Sequence, residues 1–401
     1  GMGSRLLSEC VLSVIDHRGL TPKKLGGKWT SNGGYRAISA KNIKNGCLVQ
    51  QETMNLVDEE MYRRWMPEEV DRGDIFITSE APFGEVLYWD SDEKPVLSQR
   101  VFGLKVDPLV CNARYLYYWM RTPQFQGELR GRSTGTTVMG LRQPELLKCE
   151  VEIPSLNTQR AISSVLSTID KKIAVNAKLN GYLAELVSLE FMSRFSENVP
   201  TVELGQVLSI STKSLKPQDC FGEVWEHYSI PAYDEKHWPV FEPADGIKSN
   251  KYIVDKDCIL FSKLNPTTKR IWMPACSSNR PVCSTEFIVY KPNEPKHKSF
   301  YYAAIDAPAF TDFLLAHVTG STGSRQRTQP KATLVYPMPA PETEAIEDFC
   351  AFADPIYEQI KANELESKQL EELRDVLLPR LMSGKIDVSK VDLAKLNSHL
   401  A

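Results

Sequence analysis

The chain has 401 residues, of which 42% are apolar and 25% charged, a globular composition with room for two or three cores at roughly 150 residues each. That balance excludes a disordered chain, a collagen and a small disulfide scaffold, and no apolar run approaches the ~20 residues a membrane-spanning helix needs. A formal net charge of −3 supplies no global attraction for a polyanion, so the distribution of charge carries the information.

Nine cysteines, none spaced C-x-x-C, give neither a disulfide framework nor a zinc knuckle. Cys276 and Cys283 are the nearest two and are expected to be ordinary reduced thiols. With no secretory signal pattern at its start, the chain is expected to be cytoplasmic and free of membrane contact. Residues 1–50 carry eight Lys/Arg against Glu9 and Asp16, whereas residues 342–372 carry ten Asp/Glu against Lys361 and Lys368. One mean charge therefore hides two kinds of surface.

In chain order the first half is punctuated by Gly, Pro, Asn and Asp. Short apolar runs at Ile38, Cys47-Leu48-Val49, Ile75-Phe76-Ile77, Val86-Leu87-Tyr88 and Val101-Phe102-Gly103-Leu104 predict strands and turns. Residues 115–120 predict a short helix. Residues 158–195 lack proline, and Ile162, Leu166, Ile169, Ile173, Leu183 and Val187 recur at helical spacing, the pattern of a helix packed on another helix. The second half repeats this order and closes on a helical pattern at 343–382 with Ile346, Phe349, Ile356, Leu370, Leu373 and Leu377.

The repetition is detailed. Val11-Leu12-Ser13-Val14 reappears as Val207-Leu208-Ser209-Ile210, Ile38-Ser39-Ala40 as Ile230-Pro231-Ala232, and Gly73-Asp74-Ile75-Phe76-Ile77-Thr78 as Lys256-Asp257-Cys258-Ile259-Leu260-Phe261-Ser262. Pro123 and Phe125 answer to Pro308 and Phe310, Ser133-Thr134-Gly135 to Ser321-Thr322-Gly323, Ala161-Ile162 to Ala345-Ile346, and Met192-Ser193 to Met382-Ser383. The order never breaks, so the chain is a tandem duplication. Helices of 35 to 40 residues would extend roughly 50–60 Å, more than one compact domain requires, and the economical partner for each is the other copy. Antiparallel pairing would bring Asn176 and Asn180 against Asn363, where buried amides can fix register; the alternative is that these amides face solvent.

Motifs for catalysis fail on context. Gly131-Arg132-Ser133-Thr134-Gly135 spells a nucleophile elbow, but a predicted helix and no strand precedes it. Glu366-Ser367-Lys368 with Asp354 lies on one predicted helix as a charged face. There is no Pro-Pro, no Gly-x-Gly-x-x-Gly and no phosphate loop, since Gly384-Lys385 is followed by Ile386. The six histidines lack i, i+4 pairing.

What remains is one basic, hydroxyl-rich loop per copy. Arg130, Arg132, Ser133, Thr134, Thr136, Thr137 and Arg142 form the first; Ser321, Thr322, Ser324, Arg325, Gln326 and Arg327 form its counterpart. Lys41, Asn42 and Lys44 would extend the first patch, and Lys263, Asn265, Lys269 and Arg270 the second. Arg, Gln, Ser and Thr are the side chains that reach phosphates and base edges, which makes these the candidate DNA-binding residues; the bland reading is a set of solvated loops.

Leu377-Leu378-Pro379-Arg380-Leu381-Met382-Ser383-Gly384-Lys385-Ile386 resembles the distal conserved motif of specificity subunits from Type I restriction-modification systems. Gly73-Asp74-Ile75, Ile153-Pro154 and Thr158-Gln159-Arg160-Ala161-Ile162 fall where that family has them. The second copy is looser, with Pro337-Met338-Pro339 and Thr343-Glu344-Ala345-Ile346 and no Gln-Arg pair.

The resemblance implies an α+β fold, a tandem duplication of a mixed target-recognition domain and a long helix, the two helices packed as an antiparallel coiled coil with pseudo-two-fold symmetry. Its boundaries would be 1–156, 157–196, 197–341 and 342–384, with a tail at 385–401. It also implies a non-catalytic reader of double-stranded DNA. Each domain would take half of a bipartite asymmetric site, while the helices set the gap and dock two modification subunits, with restriction subunits completing the complex. No cofactor or metal is expected in this chain, S-adenosylmethionine belonging to the modification subunit. Charge near neutrality implies that the partners supply much of the positive surface. Two other classes stay open: a duplicated coiled-coil scaffold without DNA contact, in which loop arginines could be removed without effect on DNA protection, and a fused DNA methyltransferase or nuclease, which would act unaided.

Overall fold

The computed structural model describes residues 3–135, 139–317 and 327–391. The chain forms two compact units, Gly1–Lys172 with Glu371–Ala401, and Ile173–Leu370. The two long helices, Leu156–Phe195 and Thr343–Met382, are each 40 residues long and are shared between the units.

The first unit is built on a four-stranded antiparallel sheet in the order Val11–Asp16, Val101–Val106, Ile75–Thr78, Val86–Tyr88. Successive side chains of a strand point to opposite faces, so a fully apolar strand needs cover on both. Ile75 and Ile77 lie in a core with the helices Ala113–Met120 and Pro123–Gly131 and with Ile162, Val165 and Leu166. Phe76 faces the other way, into a core with Ile38, Trp65, Val96 and Leu97. The run Ile75-Phe76-Ile77 is thus unalternating because both faces are buried. The second layer is a three-stranded sheet in the order Leu56–Val57, Tyr35–Ile38, Val96–Leu97, whose last two strands run parallel.

The second unit repeats the plan. Its four-stranded sheet has the order Leu208–Ser211, Phe287–Pro292, Ile259–Ser262, Ile271–Trp272. Its helices Lys298–Asp306 and Pro308–Ala316 stand where Ala113–Met120 and Pro123–Gly131 stand in the first. Here the second layer has five strands, again with a parallel pair, Val224–Tyr228 beside Pro281–Ser284. The end of each parallel pair shifts one register read from sequence. Ser39 follows Tyr35–Ile38 and begins a short 3-10 turn, and Ser229 follows Val224–Tyr228 and caps the helix Ile230–Lys236. Ser39 therefore corresponds to Ser229, two residues from the match with Pro231.

Within the second unit the long helices run antiparallel, since Asn176 and Asn180 meet Asn363 and Ile360 while Phe191 meets Phe349 at 5.6 Å between ring centroids. The amides do converge. Asn363 Nδ2 donates to Asn180 Oδ1 at 2.7 Å, Asn180 Nδ2 donates to the Ile360 carbonyl at 3.1 Å, and Asn176 Nδ2 donates to Glu366 at 2.7 Å. Asn176 and Asn363 are buried, so their amides form a closed network rather than a solvated edge. Asn363→Ala is expected to destabilise this unit by about 1–3 kcal/mol by stranding the Asn180 carbonyl oxygen. Replacing Asn180 and Asn363 together by leucine should recover most of that loss; urea denaturation of the three proteins checks both.

No helix among the described residues is long and apolar enough to cross a membrane.

Candidate nucleic-acid interface

In the first unit both parallel strands end on the same side. The chain leaving Tyr35–Ile38 turns at Ser39–Asn42, and the chain leaving Val96–Leu97 turns at Ser98-Gln99-Arg100. The two turns are tied together, Ser98 N donating to the Ile38 carbonyl at 2.8 Å and Ala40 N to the Gln99 carbonyl at 3.1 Å. Between them opens a cleft of about 410 Å³ lined by Trp29, Lys41, Thr53, Asn55, Gln99 and Arg100, among others. Among the described residues the head groups of Lys41, Asn55 and Gln99 have no hydrogen-bond partner. Side-chain amides offer a donor and an acceptor side by side, the geometry that matches an adenine edge, while a guanidinium fork matches guanine.

Arg100 stands at the cleft's corner with φ of 65°, left-handed backbone that costs a non-glycine residue roughly 1 kcal/mol. Its carbonyl accepts from Ser79 N at 2.8 Å, and the Ser79 carbonyl accepts from Leu141 N at 3.0 Å. Its Nε lies 3.3 Å from Glu80 Oε2. The basic loop is thereby pinned beside the corner: Thr134 and Gly140 exchange backbone hydrogen bonds of 2.9 and 2.8 Å, and Arg18, forked onto Asp16 and lying 3.9 Å from the Phe102 ring centroid, donates to the Leu141 carbonyl.

The second unit builds the same corner. Lys263 N donates to the Glu286 carbonyl at 2.8 Å, and Thr328 N donates to the Lys263 carbonyl at 2.8 Å. Arg327 bridges to Leu264, and its Nη2 lies 3.2 Å from Glu286 Oε1. The ion pair is reversed in chain position: in the first unit the cation sits before the central strand and the carboxylate on the facing turn, and in the second the carboxylate takes the former place while the cation comes from the returning loop.

The candidate residues divide on this geometry. Lys41, Arg130, Thr134 and Arg142 are exposed, and Lys44 is exposed on its hairpin. Arg132 is half-buried and paired with Glu128 at 2.9 Å, which raises its pKa; Ser133 Oγ donates to the Arg130 carbonyl. A helix, Pro123–Gly131, precedes Ser133, so the elbow geometry is absent there.

Five other candidates are engaged within the fold. Asn42 is fully buried at the edge of the cleft, its Oδ1 accepting from Ser39 and its Nδ2 donating to the Val49 and Gln50 carbonyls, so its amide is spent on closing a turn. Lys263 points inward, donating to the Thr285 carbonyl at 2.6 Å, and burial lowers its pKa against the opposing pull of Glu286. Arg270 is forked onto Asp234 with only 14% of its side chain exposed, and Lys269 pairs with Asp306 at 2.6 Å. Sequence shows their charge but not the carboxylates that folding sets against them. Asn265 makes a local turn with Thr267 and Thr268. Thr136, Thr137, Ser321, Thr322, Ser324, Arg325 and Gln326 lie outside the described residues.

Sequence reading missed Trp29, Asn55, Gln99 and Arg100. The only signal was the polar Ser98-Gln99-Arg100 step before an apolar strand, which does not distinguish a functional turn from any other.

A second surface lies on the first long helix. Val175, Leu179, Tyr182, Leu186 and Leu189 are each between 40 and 58% exposed, and their spacing of four, three, four and three is a heptad seam left exposed among the described residues.

Residues 11–184 match the family described as Type I restriction modification DNA specificity domain. The chain is 23% identical over 361 residues to the Type I restriction enzyme MjaIX specificity subunit of Methanocaldococcus jannaschii, covering 80% of this chain and 79% of that one. It is 20% identical to the HindI specificity subunit of Haemophilus influenzae, covering 79% and 87%. Its fold is similar to the crystal structure of a Type I restriction-modification S subunit from M. genitalium, with a TM-score of 0.56 at 16% identity over 95% of this chain and 96% of that one.

Proposed function

We propose, from the match of residues 11–184 to the Type I restriction modification DNA specificity domain and the likeness to specificity subunits over four-fifths of the chain, that each of the two units reads one half of a bipartite asymmetric site in double-stranded DNA, while the long helices set the gap and dock modification subunits. The chain is the non-catalytic, sequence-recognising member of such a complex. S-adenosylmethionine and the methyl transfer belong to the modification subunits, and restriction subunits complete the nuclease.

The duplication carries this reading. Two copies of one sheet, each with the same corner ladder and each followed by a 40-residue helix, suit two readings of DNA by one scheme. Variation is concentrated in the second layer, three strands in one unit and five in the other, as unlike half-sites would demand. The exposed heptad seam supports docking, since a stripe of half-exposed Leu, Val and Tyr is the face onto which a partner helix packs.

Assembled with its modification subunits and S-adenosylmethionine, the chain is expected to direct methylation of adenine within a split sequence. Mapping the modified bases gives both half-sites and the gap; methylation without sequence preference would refute the reading. Removing four residues between Ile169 and Leu183, matched by four from the facing stretch of the second helix, shortens the pair by about 6 Å. At about 3.4 Å per base pair the accepted gap should shrink by roughly two base pairs, with both half-sites unchanged.

A further inference from the structure

The corner ladder of the two units exposes a correspondence that the sequence repeat does not contain. Matching strands are offset by 184 to 187 residues: Ser79 with Lys263, Arg100 with Glu286, Leu141 with Thr328, each pair holding the same backbone hydrogen bonds. Under that register Arg100 faces a carboxylate position, and no arginine answers it. An arginine nevertheless lies beside that position, because Arg327, next to Thr328 on the returning loop, pairs with Glu286 as Arg100 pairs with Glu80. Each guanidinium touches a single carboxylate and stays open, 51% exposed for Arg100 and 61% for Arg327. A guanidinium has five donors, so most of its fork remains unspent.

The surroundings of Arg100 suit a base edge better than a bare phosphate. It lines the same cleft as Trp29 and the amides of Asn55 and Gln99, which have no hydrogen-bond partner among the described residues, and the single carboxylate offsets its charge while steering its direction. Phosphate contacts draw on charge, whereas base contacts draw on aimed hydrogen bonds.

We propose that Arg100 and Arg327 are equivalent base-reading arginines, one in each unit, each aimed from its corner by a carboxylate at an edge of its own DNA half-site. This rests on the assignment of one half-site to each unit. Glu80 and Glu286 are positioning residues, and Gln99 and Asn55 read beside Arg100.

The complex of this chain with its modification subunits, given S-adenosylmethionine and a duplex library randomised over both half-sites, tests the assignment by sequencing the methylated products. Arg100→Ala and Arg100→Lys should each reduce discrimination roughly ten- to hundredfold at one base pair of one half-site and leave the other half-site intact. Arg327→Ala and Arg327→Lys should do the same in the other half-site. Lysine keeps the charge and can keep the ion pair but loses the fork, so full discrimination in the lysine variants would show that the pair is only structural and overturn the proposal. Uniform weakening across all sequences, or the same change in both half-sites, would also overturn it. Thermal unfolding of each variant separates lost reading from lost fold. A wild-type complex without sequence preference refutes the half-site assignment itself, whereas a selective wild type with unaltered arginine variants refutes only this inference.

Discussion

Replacing Arg374 with alanine lowers the thermal midpoint of the first unit by roughly 6–12 °C, as measured by scanning calorimetry. Arg374 is on the second long helix with only 14% of its side chain exposed, and its Nη1 donates to Asp170 Oδ1 on the first long helix at 2.7 Å. Burial alone would lower the pKa of this guanidinium, but the carboxylates of Asp170 and Asp375 more than offset it and hold the value above the ordinary one. Asp170 Oδ2 accepts from the Tyr118 hydroxyl at 2.6 Å, which links both long helices to the helix Ala113–Met120. Without the arginine, Asp170 is a half-buried carboxylate left with the Tyr118 hydroxyl as its donor, and breaking one side of such a pair costs about 3 kcal/mol. At roughly 2–4 °C per kcal/mol for a unit of this size, the midpoint shift follows. Arg374→Met combined with Asp170→Asn removes both charges and should restore most of the loss. A midpoint that does not move in Arg374→Ala would show that the apolar seam alone, Leu166 with Leu378 and Leu381, holds these helix ends.

Changing Leu179 and Leu186 together to glutamate is expected to abolish capture of modification subunits while leaving the chain folded. Both side chains are about half exposed, so the unfolding midpoint should stay within about 1–2 °C of the wild type, as for other surface substitutions. In a complex they would be buried, and two carboxylates opposite an apolar helix face must be desolvated without partners. The affinity, read by calorimetric titration, should fall more than a hundredfold, about 3 kcal/mol. Methylation at both half-sites is lost together, unlike the one-sided effect of Arg100 or Arg327 variants. Unchanged affinity would place the docking surface elsewhere.

The long helices were legible because their determinants are local and periodic: Ile162, Leu166 and Ile169 mark a seam by spacing alone, and the antiparallel arrangement of Asn180 and Asn363 follows from pairing two such seams. The strands were legible where Gly and Pro bounded them. The charged residues were not. Lys269 and Arg270 have the same sequence appearance as Lys41, yet Asp306 and Asp234 neutralise the first two and no carboxylate among the described residues pairs with the third. Asn42 looked like a surface amide and is the buried clasp of a turn.

By itself the sequence determined that there are two copies of one design, that each ends in a long helix, and that the usual catalytic motifs are missing, since periodicity, order and composition need no knowledge of which residues meet. Which cations stay available was set by folding, which brings carboxylates from distant segments against some of them and leaves others exposed. The corner that holds Arg100 and Arg327 forms from strand ends and loops far apart in the chain, and the same space can be filled from different segments as long as one positive and one negative group occupy it. A comparison made along the chain matches positions, whereas electrostatics acts between places.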